Sequence, residues 1–350
     1  MPTADPSAHA RYPLGGDTPQ IARLTVEYVL PLRWSEDAGM AELTAYLRRL
    51  VRWVDVTVVD GSSAELFAAH SEAWRGLVRH LRPDDDLRYA NGKVNGVTTG
   101  VRHARHEFVV IADDDVRYDL AGLRAVQDAL RGAELARPQN YFAPMVWHAR
   151  WDTARSLLNR GLGGDCPGTL GVRRSACLRL GGYNGDVLFE NLELIRTLEA
   201  GGCREARLDG VYVRRLPPES GRFFDQRLRQ AYDDLAQPVR LAAVLAVAPV
   251  CVAAVVTGRR WVPAALTVAA VSLAERGRRR AGGTSVFPAS ASLLAPVWLA
   301  ERAVCGWAAV GLRLTAGGVR YAGRRIRTAA HPVRQIRLHL RDTMGDIQQG

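Results

Sequence analysis

The sequence predicts an α/β protein, a sheet flanked by helices, followed by apolar helices that associate with a membrane. Three observations carry this. Between residues 22 and 235, short apolar, β-branched runs alternate with segments of helical spacing, which implies strands joined through helices. One run, Val109-Val110-Ile111-Ala112, ends in three adjacent carboxylates, Asp113-Asp114-Asp115. After Pro238 no charge falls between Arg240 and Arg259. The run 241–258 is therefore roughly 18 apolar residues, just long enough to span a bilayer.

Residues 1–20, rich in Pro, Gly, Ala and Asp, read as a flexible tail. Residues 24–31 (LTVEYVLP) and 54–60 (VDVTVVD) are strands. Between them, 36–51 has helical spacing through Met40, Leu43, Tyr46, Leu47 and Leu50. Residues 62–81 look helical, and a Pro-Asp-rich turn then leads to a short strand near 87–90. A helix over 94–106 precedes a strand over 107–112, and another helix begins near Leu120. This alternation implies parallel pairing through right-handed crossovers. Strands follow at 141–148, 168–172 and 211–214, with helices at 150–160, 175–180 and 190–200 and a polar amphipathic helix at 221–236. The reading divides 21–237 into a nucleotide-binding half, 21–137, and an acceptor half, 138–237. Residues 238–312 hold three apolar stretches, 241–258, 261–274 and 287–312, the last broken by Glu301-Arg302. A buried helical subdomain is the alternative to membrane association here. Residues 313–350 read as a basic tail, interfacial or flexible.

The 350 residues carry a formal net charge of +11. Lys and Arg total 47, and Lys93 is the one lysine, which leaves 46 arginines. Basic runs at 259–260, 276–280 and 320–327 flank the apolar stretches, as at cytoplasmic membrane borders. Zinc spacing, an RNA-binding aromatic motif and a basic helix with heptads are all missing, which argues against nucleic acid as a partner. The five cysteines are scattered without CxxC spacing and suit a reducing compartment. The first residues carry no apolar signal-peptide core.

Three adjacent carboxylates repel one another, and their desolvation at a strand end is costly without a compensating charge. A divalent cation supplies it, because hard cations take carboxylate oxygens. The carboxyl end of a parallel strand is also where open α/β sheets bind ligands. The bland alternative is an acidic turn capping the helix near Leu120.

Seven short motifs stand in order: Val29-Leu30-Pro31, Val58-Val59-Asp60-Gly61-Ser62, Asn91-Gly92-Lys93, Asp113-Asp114-Asp115, Gly181-Gly182-Tyr183, Glu190-Asn191 and Gln226-Arg227-Leu228-Arg229-Gln230. In this order, over about 24–235, the chain resembles family 2 glycosyltransferases. The resemblance implies a GT-A-type nucleotide-binding sheet flanked by helices and inverting transfer of a sugar from a nucleotide-sugar donor. It also implies a divalent cation, Mg2+ or Mn2+, held by Asp113 and Asp115 in the place of the Asp-x-Asp motif. Asp113 also meets the donor, together with Pro31, Asp60, Lys93 and Arg229. Asp60 stands where the family contacts the nucleoside, in a motif shortened by one Asp, and a plain turn residue is its alternative. Lys93 is singular among so many arginines, and a compact ammonium is not replaced by a planar guanidinium in a tight polar site.

The family's usual Glu-Asp reads Glu190-Asn191 here, and an amide cannot take a proton. Glu190 is thus the candidate base, with Asp186 and Glu193 behind it, and Asn191 an acceptor-binding residue. A helix N-terminus favouring acids is the alternative for Glu190. Gln226 and Arg229 match the Gln-x-x-Arg-Trp motif of processive members, but Gln230 replaces the Trp. Its loss argues for a single transfer, with Gln226 toward the acceptor. A solvated helix face is the alternative.

The leading expectation is a metal-dependent transferase at the cell membrane, its catalytic domain cytoplasmic, acting on a lipid-linked or membrane-proximal acceptor. A non-catalytic sugar-nucleotide-binding or scaffold protein is the second. A nucleotidyltransferase ranks third, since Leu32-Arg33-Trp34-Ser35 lacks the Gly-rich loop that class carries after its first strand.

Overall fold

In the computed structural model, which describes residues 23–321 and 323–349, the first apolar run forms β1 (Val26–Leu32). The tail expected over 1–20 lies outside the described residues. The chain continues through α1 (Met40–Leu50), β2 (Asp55–Asp60), α2 (Ala64–Ala73), β3 (Arg79–Leu81), α3 (Gly92–His103) and β4 (Phe108–Ala112). Next come β5 (Val116–Arg117), α4 (Leu120–Gly132), β6 (Leu135–Phe142), α5 (Trp147–Leu162), β7 (Thr169–Arg173) and α6 (Arg174–Arg179). Then follow α7 (Glu190–Ala200), β8 (Glu205–Arg215), α8 (Ser220–Tyr232), α9 (Pro238–Val256), α10 (Trp261–Arg279), α11 (Ala289–Leu293) and α12 (Ala295–Thr315). The chain closes with β9 (Val319–Tyr321), β10 (Arg324–Ile326) and α13 (Val333–Gln349).

Eight strands form one sheet in the order β3-β2-β1-β4-β7-β6-β8-β5. The first four pair in parallel, as the strand–helix alternation implies. The second half is mixed: β7 is antiparallel to both β4 and β6, β5 is antiparallel to β8, and β6 and β8 run parallel. The parallel pairing expected from the alternation of the first half thus holds there, and the whole sheet is mixed. Both faces of the parallel half are covered, which is why β1, β2 and β4 are nearly continuous apolar runs. Tyr28, Leu30, Val58 and Val110 pack on one face with Leu43, Leu47 and Leu50 of α1 and Leu123 of α4. Val29, Val109 and Ile111 pack on the other with Val94 and Val97 of α3 and Leu194 of α7. Helix α3 lies so close to β1 that a Cβ at Gly100 would fall 2.2 Å from Val29 Cγ1. That approach fixes the height of the helix N-terminus carrying Lys93.

Three local expectations change. The strand expected near 87–90 is instead β3 at Arg79–Leu81, because α2 stops at Ala73 and Gly76 turns the chain with φ +70°. The Pro-Asp turn follows that strand rather than preceding it. The strand expected over 141–148 is β6, which begins at Leu135 and contains Pro138. Its register with β8 shifts between Pro138 and Gln139, where a proline is tolerated. The segment 313–350 is not a loose tail: β9 and β10 form a hairpin, Val187 bridges Thr328, and α13 packs against α7.

Of the three apolar stretches, α9 has 19 residues with a mean hydropathy of 2.5, and only 11% of its apolar window is buried. Among the described residues it is the one helix long and apolar enough to cross a membrane. The other two pack on one side and leave Trp261, Val268, Val304 and Trp307 exposed on the other. Ala270 and Ala274 of α10 pack with Leu157 of α5, and the stretch 287–312 breaks into α11 and α12 around a core containing Phe287 and Trp298.

Candidate functional site

Strand β4 delivers the acidic triplet into a tight turn, with the Asp113 amide donating to Gly168 O at 3.1 Å and the Val116 amide to Asp113 O at 3.0 Å. The triplet does not cap α4. Asp119 does, its side chain accepting from the Gly122 amide at 2.7 Å. Helix α3 opens beside the triplet, capped by Asn91, whose Oδ1 accepts from the Lys93 amide at 3.1 Å. Helix α7 opens opposite with Glu190 as its first residue.

The two helix starts and the strand end converge on one ammonium. Lys93 Nζ lies 2.5 Å from Asp113 Oδ1 and 2.6 Å from Glu190 Oε1, and donates to Asn191 Oδ1 at 3.3 Å. Arg215, the last residue of β8, closes the other side. Its Nε is 2.8 Å from Asp115 Oδ2 and its terminal amine 3.3 Å from Asp113 Oδ2. Asp114 turns away and accepts from the Trp34 indole at 2.5 Å.

The charge balance differs across the triplet. Burial pushes the Asp113 carboxyl up, but the charges of Lys93 and Arg215 outweigh it and hold it below the ordinary range. Burial also dominates at Asp115; Arg215 offsets only part of it, Asp113 and Asp114 add repulsion, and the carboxyl rises to about 6. Asp115 Oδ1 is buried without a hydrogen-bond partner. Burial works against the charge on Lys93, yet Asp113 and Glu190 raise its pKa above the ordinary value.

These groups line a cleft of about 2140 Å³, as do Pro31, Gln226 and Arg229. The Arg229 guanidinium sits 5.3 Å from the centre of the Tyr321 ring, which also faces the cleft. Helices α9, α10 and α12 line the cleft with mostly apolar side chains, among them Val244, Val247, Leu266 and Trp298, together with Arg240 and Arg302.

Asp60 is not brought to the cleft. It is fully enclosed, accepting from the Ser62 amide at 2.9 Å and facing His70 Nδ1 at 2.5 Å and His80 Nε2 at 3.1 Å. Burial pushes its carboxyl up, but hydrogen bonds from His80, Ser62 and His70 outweigh this and lower it strongly. The ligand atoms of Asp60, His70 and His80 lie within 4.8 Å of one another, a possible metal site. Asp60 meets the cleft wall through Ser62, whose Oγ accepts from the Trp34 amide at 2.9 Å.

Of the three candidate bases, only Glu190 stands with the triplet. Asp186 accepts from the Ala90 amide at 2.9 Å, and Glu193 is buried against His331 at 2.8 Å. Asn191 donates to Pro167 O at 3.0 Å, so both ends of its amide are engaged. Arg215 is the residue that the sequence reading missed. The available signal was Arg214-Arg215 at the end of the apolar run 211–213, a basic counterpart to the triplet. Among 46 arginines it does not stand out.

No protein-family model and no curated protein matches the chain. Solved structures do resemble it. One is the mannosyltransferase PcManGT from Pyrobaculum calidifontis in complex with GDP-Man and Mn2+, at 19% identity over 82% of this chain and 88% of that one, with a TM-score of 0.46. A second is S. aureus TarS in complex with UDP-GlcNAc, at 12% identity over 57% of this chain and 61% of that one, with a TM-score of 0.42. A third is glucosyl-3-phosphoglycerate synthase from Mycobacterium tuberculosis in complex with Mn2+, UDP and glucosyl-3-phosphoglycerate. It shows 16% identity over 52% of this chain and 69% of that one, with a TM-score of 0.36.

Proposed function

We propose that the chain is a metal-dependent, inverting glycosyltransferase of GT-A type. It moves a single sugar from a nucleotide-sugar donor to a membrane-proximal or lipid-linked acceptor. The observation that carries this reading is the convergence of Asp113, Asp115 and Glu190 on Lys93 and Arg215 at the floor of one cleft.

Three carboxylates face two cations there, which leaves one negative charge. The buried, unpartnered Asp115 Oδ1 is an oxygen donor of the kind that a hard cation takes. Asp113 and Asp115 would hold Mg2+ or Mn2+, which supplies neutralising charge for the departing diphosphate. Lys93 and Arg229 bind the donor from the chain's own side, and Pro31 lines the same wall. Asp60 supports this wall from behind, through Ser62 and Trp34. Glu190 takes the proton of the acceptor hydroxyl. Its Oε1 is engaged by Lys93, and its Oε2 has one long contact, 3.4 Å from Asn91 Nδ2. Gln226 and Asn191 stand on the acceptor side, and Asn191 sets the amide that fixes the Lys93 position.

The apolar wall favours an acceptor presented at a membrane surface, with α9 in the bilayer and the catalytic domain on the cytoplasmic side. A non-catalytic nucleotide-sugar-binding protein is the second reading, favoured by the amide at Asn191 and by the ion pair engaging Glu190. The Glu190→Gln variant separates the two. Loss of a general base costs roughly a hundredfold or more in turnover with donor affinity kept. Steady-state turnover and calorimetric donor binding check this. Equal turnover in wild type and variant would remove Glu190 from the chemistry.

A further inference from the structure

We propose that Asp60, His70 and His80 form a second cation site, for a divalent ion of the zinc class, distinct from the carboxylate site at Asp113 and Asp115. The three ligands come from the end of β2, from α2 and from β3. Asp60 Oδ2 lies 2.5 Å from His70 Nδ1 and 3.1 Å from His80 Nε2, so two imidazoles converge on a single carboxylate oxygen.

Each ring is held by its outer nitrogen. His70 Nε2 sits 2.8 Å from Asp37 Oδ1, and His80 Nδ1 sits 2.8 Å from Ser71 Oγ. Metal-bound histidines are typically oriented this way, with the far nitrogen on a carboxylate or other polar group. Hydrogen bonding alone does not balance at a neutral His70. Such a ring has one N–H and one lone pair, yet both its nitrogens face carboxylate oxygens, which only accept. In the tautomer that donates Nε2–H to Asp37, Nδ1 turns its lone pair toward Asp60, and a cation there takes the place of the hydrogen bond that His70 otherwise donates to Asp60.

Two imidazole nitrogens and one carboxylate oxygen suit zinc, cobalt or nickel rather than magnesium or calcium. Tetrahedral bonds of about 2.1 Å require the donor atoms to spread to roughly 3.4 Å apart. The His80–Asp60 pair at 3.1 Å needs about 0.3 Å of this and the His70–Asp60 pair at 2.5 Å about 0.9 Å, with β3 an edge strand and His70 on the helix α2. Three protein ligands leave one tetrahedral position for an exogenous group. The bound ion ties α2 and the edge strand β3 to the end of β2. It does so directly behind Trp34, whose ring meets His70 edge-on at 5.7 Å. It thereby stiffens the cleft wall without entering the cleft.

The test uses untagged full-length protein, loaded with Zn2+ or Co2+ and dialysed against metal-free buffer. Elemental analysis reads the retained metal, and visible absorption reads nitrogen-ligated Co2+. Wild type and Asp115→Asn are expected to retain about one equivalent each with ligand-field bands, as a single tetrahedral site requires. His80→Gln should lose affinity by roughly tenfold or more. If folded wild type retains no metal and shows no bands, Asp60, His70 and His80 are a hydrogen-bonded cluster alone and the proposal falls. It also falls if Asp115→Asn loses the ion, which would place it at the triplet, or if His80→Gln keeps both ion and spectrum. Should His80→Gln fail to fold, the Co2+ spectra of wild type and Asp115→Asn decide alone: bands in both support the site, and their absence overturns it.

Discussion

Lys93 is the residue on which the site turns. One ammonium nitrogen reaches Asp113, Glu190 and Asn191 within 3.3 Å, which a planar guanidinium with fixed fork geometry does not reproduce. Lys93→Arg is therefore expected to weaken donor binding by roughly tenfold, although the charge is kept. Calorimetric titration with the donor checks this, and an unchanged affinity would make the lone lysine incidental. Lys93 and the triplet were legible in the sequence because each is an anomaly, one lysine among arginines and three carboxylates after an apolar run. Arg215 was not, since an arginine is the commonest charge in this chain. The enclosure of Asp60 was hidden too, because its partners His70 and His80 lie on separate elements and no local spacing announces them.

At the scale of elements, two helix starts and a strand end do the positioning. Helix α7 was legible to the residue, because its acidic first turn and apolar spacing agree. Strand β6 was displaced because Pro138 interrupts its pattern. The C-terminal segment was misread because its basic composition conceals where it docks. Its anchor is His331, whose ring and amide meet the buried Glu193 at 2.8 and 2.7 Å. The hydrogen bond to Glu193 raises the His331 pKa above its ordinary 6.5 against the effect of burial. A raised folded-state pKa gives stability that is complete below about pH 6.5 and is lost as pH rises through the raised value. His331→Gln should thus cost about 1 kcal/mol near pH 5.5 and progressively less toward pH 9, as read from denaturant midpoints. A cost independent of pH would show that the ring is not charged there. Helix α9 carries a different expectation. Val252 and Val255 are 63% and 55% exposed, and their replacement by Asp should move the protein from membrane pellet to supernatant with its circular dichroism unchanged. Wild type that stays in the supernatant without detergent or lipid would contradict membrane attachment.

At the scale of the whole molecule, a parallel half sheet supplies the triplet and Lys93, and a mixed half brings Arg215 across to face them. The parallel half followed from strand–helix alternation. The mixed half did not, since β7 inserts between β4 and β6 and β8 pairs with both β6 and β5, and nothing local encodes those directions. The cleft runs from the carboxylates to the mostly apolar side chains of α9, α10 and α12, which supports the transfer proposed above. In the proposed transfer, Asp113 and Asp115 would hold the divalent cation on which turnover depends. The most direct measurement follows turnover of a panel of nucleotide sugars by full-length protein in Mn2+, in chelator, and in the Asp115→Asn variant. Chelation should lower turnover by roughly a hundredfold or more, with recovery when Mn2+ returns. Asp115→Asn should be inactive in Mn2+ while its melting temperature is kept. Full turnover in chelator, or an Asp115→Asn variant as active as wild type, would contradict the account.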